Sequence, residues 1–373
     1  MSAKIKTTCM KVIPTMGFLL LLQLVFSQYN WSELDTELKA KQNLLGNNVV
    51  AIIWSKDSML YKKEMGDFNA ATVAPIASCS KWLTAALVMQ FADEGKLSLD
   101  DNVSKYIPAF VKKGTGDITL RHCLSHMTGL EDDDKFLKRI LARRKYASLE
   151  EEVNSFARKD IRAKAGTDFW YGNIGLNIAG RVLEVISKEK FESLIETRLF
   201  APLGMTRSSF AGINASPVNP SGGARSTADD YMKFLLMLLN NGTYNGKRIL
   251  SEKAVEEMRK VQNKMIQIKY APKAAEGFLY AAGSWVVEYK ANALGKDNIS
   301  PLAPIPPGNF PDREILFATS LASPGLFGTW PMIDYCRGYA YIVFVKNFLG
   351  QERAGAHSAI KKIIDRQITP QCE

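Results

Sequence analysis

Ser78-Cys79-Ser80-Lys81 is the first stretch of the 373-residue sequence whose residue types and spacing could do chemistry. A free serine hydroxyl is a poor nucleophile and needs a base within hydrogen-bond reach. If a helix starts near Ser78, Lys81 projects from the same face one turn along. A lysine desolvated so that its pKa falls can serve as that base. The same S-x-x-K pattern occurs at Ser187…Lys190 and Ser358…Lys361, but those lie at charged helix ends or faces and read as chance. Ser78 instead follows Pro75-Ile76-Ala77 and opens a strongly apolar segment, the setting that lowers a lysine pKa.

Tyr171-Gly172-Asn173 is the chain's one Y-x-N, and it precedes another apolar run. A tyrosinate base needs its pKa lowered by about three units, or about 4 kcal/mol. A lysine cation about 4 Å away supplies roughly that much at an effective dielectric near 20. Lys81 and Tyr171 then titrate as a coupled pair. The competing reading of this triplet is structural: a buried tyrosine and a helix-capping Asn173. His122 and His126 stand at i, i+4, like the ligand pair of H-E-x-x-H. Cys123 occupies the position of the metalloprotease glutamate, so the pair reads as structural and no metal is expected. No G-x-S-x-G, P-loop or Rossmann glycine pattern occurs, and no cofactor is expected.

These residues must be positioned by a fold, and the pattern along the chain predicts one. Residues 33–45 form a short helix, and Val49–Trp54 with Met59–Met65 form a hairpin. The stretch from about 79 to 262 is mostly helical. Leu83, Leu87 and Phe91 share one face there, Ile174 to Val185 form another run, and Ser226 with Asp229 marks a helix start. Phe278–Tyr289, Ile315–Ser320 and Tyr339–Lys346 read as strands, with a turn at 334–338 before the last. Ala354–Ile368 closes as a helix. Strands at both ends and helices between predict an α+β fold: a mostly antiparallel sheet flanked by helices, with an inserted all-helical subdomain. The proline-rich stretch 292–313 reads as a functional rim or an inert surface loop.

The sequence is 46% hydrophobic, enough for a substantial core, and its five cysteines are too few for a disulfide scaffold. Lys4, Lys6 and Lys11, an apolar run to Phe26 and then Ser27-Gln28 predict a signal peptide over about residues 1–28. The apolar run is about 11 residues, short of the roughly 20 that span a bilayer. A secreted or periplasmic location follows, with no stable membrane insertion after cleavage. The mature domain is 29–373. Removing the leader takes the net charge from +10 to +7. Basic residues are interleaved with acidic ones, the pattern of solvated helix faces, so no nucleic-acid partner is expected. Cys79, Cys123, Cys336 and Cys372 remain after cleavage. They allow three pairings, and most are expected to be small buried residues.

With S-x-x-K near the start and Y-x-N about 90 residues on, the chain resembles the serine β-lactamase and penicillin-binding-protein superfamily. It looks most like the branch holding class C β-lactamases, D-alanyl-D-alanine peptidases and β-lactamase-like esterases. Segments 118–130, 202–205, 222–230 and 241–250 add to the resemblance, which covers about residues 33–368. It implies Ser78 as acylated nucleophile, Lys81 and Tyr171 sharing base and acid roles, and Asn173 bonding substrate and holding Lys81. The third motif departs from the usual Lys-Thr-Gly or His-x-Gly. Ser323-Pro324-Gly325 stands in its place, followed by Leu326. Gly325 still permits close approach of the strand, and the N–H groups of Ser78 and Leu326 could form an oxyanion hole. Ser323 carries no charge for a substrate carboxylate, though its hydroxyl can donate a hydrogen bond. The departure favours an esterase-like hydrolase acting on a neutral ester, amide or lactone over antibiotic hydrolysis. A small-molecule or peptidoglycan-like substrate is implied. Two rivals stand beside this reading. One is a catalytically silent binding protein. The other is a cell-wall D,D-peptidase, which needs a cation such as Arg337 near Ser323.

Overall fold

The computed structural model describes residues 29–111, 114–131, 143, 145–211, 216–291, 315–348 and 351–372. The expected signal peptide and the proline-rich stretch lie outside the described residues. A seven-stranded antiparallel sheet runs, edge to edge, Leu279–Tyr280, Trp285–Ala291, Leu316–Ala322, Trp330–Asp334, Tyr339–Val345, Val49–Ser55 and Met59–Met65. The two ends of the chain meet inside it, as its fifth and sixth strands. Val49 to Ser55 pair with Val345 to Tyr339 residue for residue.

Both faces of the central strands are buried, which is why they read as continuous apolar runs rather than alternating ones. Val50, Ile52, Ile342 and Phe344 face the helical core built around Trp82. Val49, Ala51, Ile53, Tyr341 and Val343 face the other way, onto the terminal helices Ser32–Leu45 and Gln351–Gln367. On the first face the helices Ser80–Asp93, Ile174–Ser187, Ala228–Leu239 and Glu252–Arg259 pack against one another or the sheet. Ser80–Asp93 is buried on nearly every side from Ser80 to Phe91, so it is the central helix of the core.

Three local expectations are corrected. The strand Trp330–Asp334 carries Pro331 and was not expected. Pro331 lies beyond the last pair with Leu316–Ala322, Ala322 with Met332, so its missing N–H breaks no bond of that ladder. The turn at 334–338 therefore joins this strand to the next. The expected strand Phe278–Tyr289 is a hairpin, folded at Gly283, whose φ is +77°. The helix Ala228–Leu239 is capped by Thr227, whose hydroxyl accepts the Asp230 N–H at 3.0 Å. Ser226 lies in the short strand before it and meets Ser208 instead, at 2.8 Å.

Of the three pairings open to the cysteines, the structure forms Cys336–Cys372 and leaves Cys79 and Cys123 as buried thiols. The bridge ties the tail after the last helix to the turn following Trp330–Asp334. Cys372→Ser is expected to lower stability by roughly 2–4 kcal/mol, since the link closes a loop of sequence separation 36. Thermal unfolding with and without reductant measures this. Equal midpoints would mean that the bridge contributes nothing.

Candidate active site

The nucleophile candidate sits on a constrained turn. Ala77, just before Ser78, has φ +46°, a region that costs a β-carbon-bearing residue about 1–2 kcal/mol. The surroundings hold it there. Ile76 N–H donates to Ala224 O at 3.0 Å, Cys79 N–H to Ile76 O at 3.1 Å, and Ser80 Oγ to Ala77 O at 2.5 Å. Tyr231 Oη donates to Cys79 O at 2.8 Å. Residues 77–79 form a short 3-10 turn, and the α-helix begins at Ser80. Ser78 and Lys81 thus share one face, as the i, i+3 spacing predicts.

Lys81 is 1% exposed. Its Nζ lies 3.1 Å from Ser78 Oγ, 3.2 Å from Asn173 Oδ1 and 2.9 Å from Ser221 O. The Tyr171 ring centroid is 4.9 Å away. S-x-x-K and Y-x-N, 90 residues apart in sequence, therefore meet at one amine. Asn173 does occupy the N-cap position of Ile174–Ser187, but its side chain makes no capping bond. That corrects the capping alternative. Tyr171 is nearly buried and packs on Trp285 at 5.0 Å and His126 at 4.6 Å between ring centroids.

The strand end with the altered third motif lies against the same turn. Ser323 Oγ is 3.4 Å from Ser78 O and 3.3 Å from Gly283 O, so its hydroxyl proton points at the protein's own carbonyls. A β-carbon at Gly325 would stand 2.2 Å from Ile76 O. Gly325 is thus required where two backbones touch, although the neighbour is the nucleophile turn itself. Gly325 N–H donates to Thr329 O and Gly328 N–H to Gly325 O, at 2.8 and 2.9 Å, closing a tight turn that carries Leu326. Arg337 does not join the site. It pairs with Asp334 at 3.1 Å and with Glu288 and Asp365 at 3.6 Å, on the face of the terminal helices. The chance S-x-x-K matches also lie elsewhere, and Lys361 belongs to that same ion cluster.

Three neighbours of the site were not assigned to it from the sequence. Ser221 offers Lys81 a carbonyl and is held by its own N–H to Asn177 Oδ1 at 3.0 Å. Gly283 presses on Lys81 O, at 2.8 Å from where its β-carbon would be. His126 lines the tyrosine side. His122 does other work, accepting the Thr119 N–H at its Nδ1 in a capping box. The 220–223 stretch Pro-Ser-Gly-Gly has the composition of a turn, but a backbone acceptor leaves no residue-type signal.

A mostly antiparallel sheet set against helices, with a serine–lysine pair at the head of the central helix, is the build of the serine β-lactamase and penicillin-binding-protein superfamily. The chain belongs to the beta-lactamase family, whose signature matches residues 36–363. It is 25% identical to Protein Rv1367c of Mycobacterium tuberculosis over 270 residues, 57% of this chain and 67% of that one. Protein flp of Staphylococcus aureus is 28% identical over 149 residues, 39% of this chain and 30% of flp. Among solved structures, a Bacteroides dorei chain with a provisional beta-lactamase name superposes with a TM-score of 0.75. It is 25% identical, and the match covers 91% of this chain and 99% of that one. The hydrolase EstCE1 gives 0.68 at 17% identity, covering 89% and 100%. D-alanine carboxypeptidase AmpC of Burkholderia cenocepacia gives 0.62 at 19%, covering 89% and 99%. The neighbours are mostly hydrolases.

Proposed function

We propose that the chain is an exported serine hydrolase that works through a Ser78 acyl-enzyme, with esterase-like activity on neutral carbonyl substrates. The observation that carries this is the Ser78 Oγ–Lys81 Nζ distance of 3.1 Å, with the amine buried and also bonded to Asn173 and Ser221. An ammonium would use all three protons on these acceptors. A neutral amine keeps two of the bonds and turns its lone pair to the Ser78 hydroxyl, ready to take its proton. Tyr171, beside the same amine, shares the load. It takes the proton from Ser78 or Lys81 and returns one to the leaving group. Ser78 Oγ forms a bond to the carbonyl carbon, and the resulting oxyanion accepts from the N–H groups of Ser78 and Leu326. The carbonyl reforms as the leaving-group bond breaks. Water then attacks the ester to release the acid and restore Ser78.

Substrate class follows from charge. Ser323 turns its hydroxyl inward and Arg337 is committed to three carboxylates elsewhere. Neither offers a substrate carboxylate a partner, which favours uncharged esters, amides or lactones over penicillins and cell-wall stem peptides. Export is supported by the pattern of residues 1–28 and by the Cys336–Cys372 bridge, a bond of oxidising compartments.

The test is intact-protein mass after mixing with a short-chain p-nitrophenyl ester, a fluorophosphonate and a penicillin in parallel. An adduct from the first two, absent in Ser78→Ala and weak or absent with penicillin, is the expected result. No adduct from any of the three would overturn the reading in favour of a binding protein without catalysis.

A further inference from the structure

His126 has a backbone and a ring that the mechanism above does not use. Its φ is +59°, the left-handed region that few residues other than glycine adopt without a reason. It is 4% exposed. Its carbonyl accepts the Trp170 N–H at 3.0 Å, and its Nδ1 faces the Gly172 N–H at 3.4 Å. The residue between those two donors is Tyr171. The ring lies against the Tyr171 ring, with centroids 4.6 Å apart. On the far side Nε2 meets Tyr280 Oη at 3.1 Å, and the Tyr280 ring stacks edge-on at 4.8 Å. Since Nδ1 accepts, the proton of a neutral ring must sit on Nε2, directed at Tyr280. Burial and the nearby Lys81 keep the ring neutral, which preserves the acceptor.

We propose that His126 is a positioning residue that fixes Tyr171 against Lys81. It grips the main chain on either side of the tyrosine, packs on the tyrosine ring, and is itself oriented by Tyr280. The strained φ is what lets one residue present its carbonyl to Trp170 and its ring to Gly172 together. The kinetic consequence rests on the catalytic reading of Ser78 and Tyr171, while the structural consequence does not.

The test uses the full chain with 3-fluorotyrosine incorporated, and Tyr171→Phe to assign the Tyr171 fluorine signal. His126→Phe keeps an aromatic ring and removes both nitrogen contacts. It is expected to move the Tyr171 signal and to slow fluorophosphonate labelling of Ser78 about 100-fold, the scale of a misplacement near 1 Å. KM for the ester is expected to change less than about threefold. His126→Asn tolerates the positive φ and offers Oδ1 where Nδ1 stood. It is expected to restore the signal and bring labelling within about tenfold of the wild type. A Tyr171 signal unmoved in His126→Phe overturns the proposal, and so does an Asn variant no better than the Phe variant. If His126→Phe does not fold, Tyr280→Phe, which removes only the Nε2 partner, takes its place under the same criterion for the Tyr171 signal. A wild type that takes no label refutes the catalytic reading, and the fluorine signals still decide the positioning claim.

Discussion

Lys81→Ala is expected to slow acylation of Ser78 by about 10³-fold, and Tyr171→Phe by a similar factor, within the range that positioned acids and bases contribute. The geometry explains why both losses are large. Lys81 bonds at once to Ser78 Oγ and Asn173 Oδ1, and it lies 4.9 Å from the Tyr171 ring. Removing it takes away the first proton acceptor and, once the proton has moved, the cation that lets Tyr171 hold a negative charge. Removing the Tyr171 hydroxyl leaves Lys81 with no partner for returning the proton to the leaving group. Because the two act on one proton, their effects do not add. The double variant is expected to lose little more than the worse single one. Rapid-quench mass spectrometry of the Ser78 adduct separates acylation from turnover. Near-normal acylation in both single variants would sink the mechanism, whatever the steady-state rates.

The parts of the site legible in the sequence are those carried by residue type at short spacing. Ser78 and Lys81 fall on one face because any helix would put them there, and the apolar run after them announced burial. Joining them to Tyr171 and Asn173 took the resemblance, since nothing local links residues 90 apart. What stayed hidden is carried by backbone. The Ser221 carbonyl, the carbonyls that engage Ser323, and the left-handed turn at Ala77 involve groups that every residue possesses. The same holds for the fold. The central strands announced themselves as apolar runs, whereas Trp330–Asp334 was masked by Pro331, whose cost depends on which neighbour it faces. Thr227 and Ser226 are equally good caps on paper. The chain's path places only Thr227 at the helix start, because Ser226 is held in a strand. Arg337 looked available in one dimension and is committed to Asp334, Glu288 and Asp365 in three.

Gly325→Ala is expected to destabilise the protein by about 2–4 kcal/mol and to impair acylation together, because the added carbon lands on the nucleophile turn. Its β-carbon would sit 2.2 Å from Ile76 O and 3.1 Å from Cys79 Sγ. Real contacts of this kind do not fall below 3.0 Å, so something must move. The Ile76 carbonyl cannot swing away freely, since it accepts Cys79 N–H, and Ile76 N–H is tied to Ala224 O. Relief therefore comes either from the 76–79 turn, which carries Ser78, or from the 323–328 segment, which carries Leu326. Either shift moves the Leu326 N–H away from Ser78 and so pulls apart the two donors meant to receive the oxyanion. Gly355→Ala is the control for chemistry alone. It lies on the exposed side of Gln351–Gln367 with nothing within 4 Å of the new carbon. There the same substitution is expected to stabilise by about 0.5–1 kcal/mol, the ordinary helical preference for alanine. Denaturant unfolding of both variants, with fluorophosphonate labelling of each, gives opposite signs if the contact matters. A Gly325→Ala protein as stable and as reactive as the wild type would show that the strand and the nucleophile turn do not meet as described.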